Sequence, residues 1–151
     1  MTAPTLPDSA QGFAAATWAD LAPYYDDLAT RPLDRDSAEA WLADWSSLDE
    51  LVQEAASRAS VAYTTDTADP AKEAAHLRFA SEIGPRLGER RVRLARRLLD
   101  LGYTRPDLET SLRRFRNARD LFREENVPLG AQVQQLNTRY QKVTGALTVA
   151  W

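Results

Sequence analysis

The sequence predicts an all-α protein, an antiparallel up-and-down array of about five helices. Its 151 residues include only 6 Gly and 8 Pro, fewer than a sandwich or barrel of many short strands needs for its turns. Apolar residues recur at steps of three and four along most of the chain, which is the period of a helix with one buried face. The breaks between these periodic stretches are short, and short connections favour antiparallel neighbours.

Capping signals place the first two helices. Thr17 and Asp20 have the spacing of a capping box at the start of the first helix, which ends before Pro32. Asp36 and Glu39 repeat that spacing and open a long second helix. The apolar stripe of this second helix consists of Trp41, Leu42, Trp45, Leu48, Val52, Ala55 and Ala59. A stripe of this kind predicts that the helix faces a core.

The third helix carries an interruption. Pro70 suits the first position of a helix, where its missing N–H costs nothing. Gly84 and Pro85 lie in the middle of the apolar stripe that follows, and Pro85 cannot donate a hydrogen bond to the preceding turn. We therefore expect either a kink or two collinear pieces, residues 70–83 and 85–101.

Two further helices complete the array. The apolar positions of the fourth are Leu108, Leu112, Phe115, Ala118, Leu121 and Phe122, and those of the fifth are Leu129, Val133, Leu136, Tyr140, Val143 and Leu147. The stripe of the fifth helix keeps helical spacing without a miss. We expect the stripes of the second, third and fifth helices to converge on one core.

The two ends of the chain differ from its middle. Residues 1–16 include Pro, Asp and Ser and predict a flexible lead-in, which leaves residues 17–151 as a single helical domain. From Leu147 to Trp151 the pattern alternates and favours β-structure, which predicts the start of a strand. A domain usually tapers into polar residues, so we expect this one to be the N-terminal portion of a longer chain.

The absence of Cys and the presence of a single His exclude several kinds of site. No disulfide framework or Cys nucleophile can form, and a site that needs two imidazoles cannot be built from this chain alone. Residues 1–16 lack the features of a signal peptide, and no apolar run approaches the ~20 residues that cross a bilayer. We therefore expect a cytoplasmic protein with no membrane partner.

Charge is unevenly distributed along the chain. Residues 1–60 hold 11 acids and 3 bases, whereas residues 86–123 hold 12 Arg and 5 acids. The region from Arg86 to Arg123 offers a surface for nucleic acid. The simpler interpretation is that these arginines face the acidic first half of the chain or lie in solvent, and the sequence pI of about 5.2 favours it over a nucleic-acid module.

The remaining candidates for chemistry have simple structural explanations. His76 has no second ligand or nucleophile beside it in the sequence, which is typical of a surface histidine. The acidic pairs Asp26-Asp27 and Asp34-Asp36 are close enough to hold a cation, but acids near helix ends are more often caps. The sequence thus predicts no catalytic, metal or cofactor residue in this chain, and leaves residues that contact a substrate unknown.

Aromatic residues cluster in the first half of the chain. They are Trp18, Tyr24, Tyr25, Trp41 and Trp45. At helical spacing such residues form a core more often than a ligand groove.

Several stretches in sequence order resemble the N-terminal region of oligoendopeptidase F-like proteins, zinc metallopeptidases of the thimet-oligopeptidase clan. They are residues 17–21 (Thr-Trp-Ala-Asp-Leu), 41–42, 51–52, 63–67 (Tyr-Thr-Thr-Asp-Thr), 122–129 (Phe-Arg-Glu-Glu-Asn-Val-Pro-Leu) and 140–149 (Tyr-Gln-Lys-Val-Thr-Gly-Ala-Leu-Thr-Val). The loop at 63–67 and the segment at 122–129 carry most of the similarity.

This resemblance implies an endopeptidase that hydrolyses short peptides and has a largely helical, elongated fold around a channel. In that family zinc is bound by a His-Glu-x-x-His helix and a downstream Glu, and no position of this chain corresponds to them. We therefore expect a non-catalytic wall of the channel, inactive alone, with zinc in the full-length enzyme only. The remainder of the enzyme would be its partner and would pack near Val143, Leu147, Val149 and Trp151.

Two alternatives remain open. One is a stand-alone helical interaction or structural module that descends from such a peptidase. The other is a nucleic-acid-binding bundle that uses the region from Arg86 to Arg123.

Overall fold

The computed structural model describes residues 4–147 and confirms the all-α fold class, with five helices and no strand in that range. Helix α1 spans Trp18–Thr30, α2 spans Ala38–Thr65, α3 joins Pro70–Leu77, Arg78–Ile83 and Gly84–Asp100 into one continuous helix, α4 spans Glu109–Leu121, and α5 spans Asn126–Gly145. Short 3-10 turns lie at Ala10–Phe13 and Pro106–Leu108.

Consecutive helices α1, α2 and α3 run in alternating directions. Trp41 near the start of α2 and Arg97 near the end of α3 both bond to Leu28 near the end of α1. At the opposite end of the same pair of helices, His76 of α3 stacks on Tyr63 of α2. The up-and-down order predicted from the short connections is therefore present in this part of the molecule.

The C-terminal end of α1 is tied to both of its neighbours. The carbonyl of Leu28 would normally accept from the N–H four residues later, but that residue is Pro32, which has no N–H. Trp41 Nε1 donates to this carbonyl at 2.9 Å and Arg97 Nη1 donates to it at 2.5 Å. Arg97 Nη2 donates to the carbonyl of Arg31 at 2.8 Å. A cation is also favoured at a helix C-terminus, so Arg97 satisfies both the hydrogen bonds and the helix dipole.

The interruption of α3 is a π-helical segment and not a break. Over Arg78–Ile83 the helix widens, and the N–H of Gly84 bonds to the carbonyl of Phe79, five residues earlier. Pro85 would clash with the preceding turn of a regular helix, and a π-segment is a known way to absorb such a misfit. Phe79 and Ile83 point into the core from this segment.

The core lies where α1, α2 and the second half of α3 meet. Its largest fully buried side chains there are Trp41, Tyr25, Leu21, Leu28, Leu48, Val52, Ile83, Leu94 and Leu98. Trp41 and Trp45 contact each other edge to face, with ring centroids 5.5 Å apart, and Trp45 stacks on Phe115 of α4 at 4.9 Å. The aromatic residues of α2 are therefore a core, as their spacing predicts.

The core begins before the boundary expected at Thr17. Ala10, Phe13 and Ala16 are buried, and the ring of Phe13 meets Tyr24 edge-on at 5.5 Å. Arg78 donates to the carbonyl of Ala14 at 2.7 Å. Residues 10–16 thus belong to the folded domain, which corrects the prediction of a flexible lead-in over residues 1–16. No apolar periodicity marks this turn, because only a few of its side chains enter the core.

Helix α5 does not bring its apolar stripe into the core. Its only buried residue is Thr138, whereas Leu129, Val133 and Leu136 are exposed. The expected convergence holds for α2 and α3 and is wrong for α5. Periodicity shows that one face of a helix is apolar, but it does not show which face a neighbouring helix will cover.

The strand start predicted from Leu147 to Trp151 lies outside the described residues apart from Leu147 itself. Leu147 follows the end of α5, and its N–H donates to the carbonyl of Thr144 at 3.2 Å. None of the helices that the structure describes is long and apolar enough to span a membrane.

The position of the core predicts unequal effects for two identical truncations. Leu98 is fully buried, so Leu98→Ala should lower the free energy of unfolding by about 2–5 kcal/mol. Leu121 of α4 is 75% exposed, and Leu121→Ala should change the free energy of unfolding by no more than about 0.5 kcal/mol. Urea denaturation followed by circular dichroism measures both, and equal losses would contradict this placement of the core.

Candidate functional site

The most unusual surface of the molecule is the outer face of α5. Six large apolar side chains, five on this face and one in the turn directly after the helix, are between 53% and 72% exposed. They are Leu129, Val133, Leu136, Tyr140, Val143 and Leu147, and we refer to them together as the α5 seam. A contiguous apolar strip of this kind is typical of a surface that another molecule or segment covers.

The opposite face of α5 holds the helix on the domain through polar contacts. The hydroxyl of Tyr63 donates to the carbonyl of Thr138 at 3.0 Å in a buried contact. Lys142 Nζ lies 2.7 Å from a carboxylate oxygen of Glu73. At the end of the helix Gly145 packs so closely on Thr67 that a Cβ would lie 2.6 Å from the Thr67 hydroxyl oxygen.

These contacts explain why the apolar face points outward. Ala131, Thr138 and Gly145 are small and seven residues apart, so they share one side of the helix. Small side chains let α5 approach α3 closely, along Arg78–Ile83 and the helical segment that follows it. The larger apolar residues lie on the other side and remain exposed.

The α5 seam has the spacing of a coiled-coil interface. Its successive members are 4, 3, 4, 3 and 4 residues apart, which is a strict alternation that repeats every seven residues. This is the a/d pattern that packs against a partner helix, whereas a globular core usually draws on a broader face. The seam is therefore shaped to receive a helix.

Five of the twelve arginines of this region contact acids, aromatic rings or backbone of the first half of the chain. Arg90 pairs with Asp26 at 2.8 Å, and Arg91 pairs with Asp49 at 2.8 Å. Arg105 pairs with Glu39 at 2.8 Å. These contacts match the simpler interpretation of the charge distribution.

Arg90 and two further arginines of this region contact aromatic rings or backbone. Arg86 and Arg90 lie over the ring of Trp18 at about 6 Å, and Arg97 lies over Trp41 while it bonds to the end of α1. Cation–π contacts of this kind use the same positive charges that a nucleic acid would require.

His76 lies in a cleft between α2 and α3 and stacks on Tyr63, with ring centroids 4.9 Å apart. The cleft has a volume of about 390 Å³, and its lining includes Ser57, Ser60 and Arg91. Burial lowers the pKa of His76. No hydrogen bond joins the imidazole to a serine or a carboxylate in the described structure, so the pair that nucleophilic catalysis requires is not assembled there.

The acidic pairs singled out from the sequence have structural partners. Asp26 pairs with Arg90, and Asp27 pairs with Arg31 at 2.7 Å. Asp34 accepts hydrogen bonds from the hydroxyl and the N–H of Ser37 ahead of α2, and these bonds lower its pKa. Within residues 4–147 no group of three His, Asp or Glu side chains is arranged to hold a metal ion.

Tyr25 is a fully buried ionisable group in the core. Its hydroxyl donates to Asp49 Oδ1 at 2.7 Å, and the other carboxylate oxygen of Asp49 pairs with Arg91. Burial, reinforced by the charge of Asp49, raises the pKa of Tyr25. The tyrosine therefore remains a neutral donor, and the cluster links α1, α2 and α3.

Comparison of the chain with protein-family models, curated proteins and solved structures found no match. Sequence reasoning found every member of the α5 seam as a helical stripe but assigned it to the core. The small residues at positions 131, 138 and 145 are the signal that distinguishes an exposed stripe from a buried one, because they mark the side of α5 that packs against the domain.

The environment of His76 predicts a pH dependence of stability. Its pKa is lower in the folded protein than in the unfolded chain, so the unfolded state binds more protons. Stability should therefore fall as pH drops below the unfolded value of about 6.5, until the lowered folded pKa is passed. His76→Phe, which keeps the stack on Tyr63, should remove this loss.

The measurement is urea denaturation of both proteins at a pH above and a pH below this window. Because His76 is the only histidine, its contribution is the difference between the two proteins. An equal pH dependence of the two proteins would contradict a lowered pKa of the half-buried imidazole.

Proposed function

We propose that this chain is the non-catalytic N-terminal helical part of an oligoendopeptidase F-like zinc metallopeptidase, a cytoplasmic hydrolase of short peptides. In this role it forms one wall of the substrate channel. Zinc and the catalytic residues come from a part of the enzyme that residues 1–151 do not contain. The observation that carries the proposal is the α5 seam, an apolar helix face on a domain whose core is already filled.

The placement of the similar segments supports this proposal. The segment at 63–67, which includes the last turn of α2, contacts α5 twice, through Tyr63 to Thr138 and through Thr67 to Gly145. The segment at 122–129 connects α4 to α5, and the segment at 140–149 includes the last turn of α5. Three stretches that resemble the peptidase family thus either contact α5 or form part of it.

The remainder of the enzyme would pack on the C-terminal end of the seam. Val143 and Leu147 are exposed there, at 65% and 72%. Val149 and Trp151, the other residues expected in this contact, lie outside the described residues. The proposed interface therefore lies at the end of α5 from which the chain would continue.

A second candidate is a stand-alone helical interaction module. The coiled-coil spacing of the α5 seam favours it, because such a seam binds a helix from any source. The arginine pairs with Asp26, Asp49 and Glu39 do not favour a nucleic-acid-binding function.

The proposed function predicts that the isolated 151-residue chain neither hydrolyses peptides nor retains stoichiometric zinc. Fluorogenic peptide cleavage and metal analysis after dialysis against zinc measure the two properties. The control is the same chain joined to the polypeptide encoded downstream of Trp151, which should contain a His-Glu-x-x-His helix and should cleave peptides in a chelator-sensitive manner.

Two results would overturn the proposal. One is zinc-dependent cleavage by the isolated chain, with loss of activity on chelation. The other is a reading frame that stops after Trp151, which would leave the interaction module as the remaining candidate.

A further inference from the structure

The α5 seam is nearly palindromic. The sequence of its members is Leu, Val, Leu, Tyr, Val and Leu, and the spacing of 4, 3, 4, 3 and 4 reads the same in both directions. The centre of the pattern is position 138, the buried threonine that faces the domain. A surface that reads the same in both directions is complementary to an antiparallel copy of itself.

We propose that two copies of this chain pair through the α5 seam as an antiparallel two-helix interface with a two-fold axis near position 138. The inference goes beyond the proposed function, since it concerns what residues 1–151 do when no other segment covers the seam. A segment of a longer chain that covered Val143 and Leu147 would compete with this pairing.

The packing layers of such a pair are matched in size. Val133 of one copy meets Val143 of the other, and Leu129 meets Leu147, which lies in the turn directly after α5. In the centre Leu136 meets Tyr140. Each layer combines one a position with one d position, which is the rule for antiparallel coiled coils.

The positions beside the seam carry little charge to oppose the pairing. They are Gly130, Gln132, Asn137, Arg139, Thr144 and Ala146, of which only the arginine is charged. The two Arg139 side chains would lie on the same side near the axis. Their repulsion is screened by salt, so the pair should tighten as ionic strength rises.

The apolar area that this pairing can bury is typical of a weak dimer. An apolar side chain of this size contributes on the order of 100 Å² when fully buried, so six of them offer about 600 Å² per copy and about 1,200 Å² per pair. This lies at the lower end of the range for specific interfaces, and we expect dissociation on the order of 1–100 µM.

Sedimentation equilibrium of the 151-residue chain tests the pairing. The expected result is a reversible monomer–dimer equilibrium in the micromolar range. Leu136→Glu should raise the dissociation constant at least about 100-fold, because it would bring charge into an apolar layer of both copies. Leu121→Glu is the control, since Leu121 is also exposed, at 75% against 60% for Leu136, but lies on α4, and it should leave the dissociation constant unchanged.

Engineered thiols test the antiparallel direction, and the natural chain has no Cys to interfere. Val133→Cys and Val143→Cys proteins should form few disulfides when oxidised separately, because the like positions are about 15 Å apart along the pair. A mixture of the two should form a covalent heterodimer readily.

Three results would overturn this inference. The first is a monomer at all concentrations up to about 1 mM, tenfold above the upper end of the expected range. The others are a dimer that Leu136→Glu leaves intact and disulfides between like positions in preference to the mixed pair. None of them bears on zinc or peptide hydrolysis, so the inference and the proposed function fail separately.

Discussion

The fold depends on how the C-terminal end of α1 is satisfied. Pro32 ends that helix, and it lacks the N–H from which the carbonyl of Leu28 would otherwise accept a hydrogen bond. Trp41 of α2 and Arg97 of α3 supply the missing donors, and Arg97 also reaches the carbonyl of Arg31. One helix end thereby fixes the position of the two longest helices. A buried carbonyl without a donor would cost about 1–3 kcal/mol of stability. The donors from Trp41 and Arg97 therefore stabilise this packing and favour it over arrangements that leave the carbonyl without a donor.

A core closed around this junction leaves α5 on the outside. α1, α2, the second half of α3 and Leu112 of α4 contribute most of the buried apolar residues, whereas α5 is held by Tyr63, Glu73 and Thr67 through polar or close contacts. Its apolar face is then free for a partner. Both proposed roles, as a wall of a larger enzyme and as a self-pairing surface, follow from this one structural fact.

The sequence predicts the helices well because their signals are local. Thr17 with Asp20 forms the expected capping box, and Asp69 caps the helix that Pro70 begins. The outward face of α5 could not be predicted in this way, because an apolar stripe does not identify what covers it. The sequence did not predict the burial of Phe13 or the π-segment before Pro85 either, since both depend on tertiary packing. The sequence identified the residues of the α5 seam as an apolar stripe, but it did not predict that they are exposed.

The most direct test of this account compares two neighbouring arginines of α3. Arg97→Met should lower the free energy of unfolding by about 2–3 kcal/mol, because it removes charge-assisted hydrogen bonds to the end of α1. Arg97→Lys should restore little of this loss, since an ammonium group lacks the fork that reaches both carbonyls. Arg96→Met, at an exposed position, should change stability by less than about 0.5 kcal/mol. Equal effects of Arg97→Met and Arg96→Met in urea denaturation would contradict the central place of this junction.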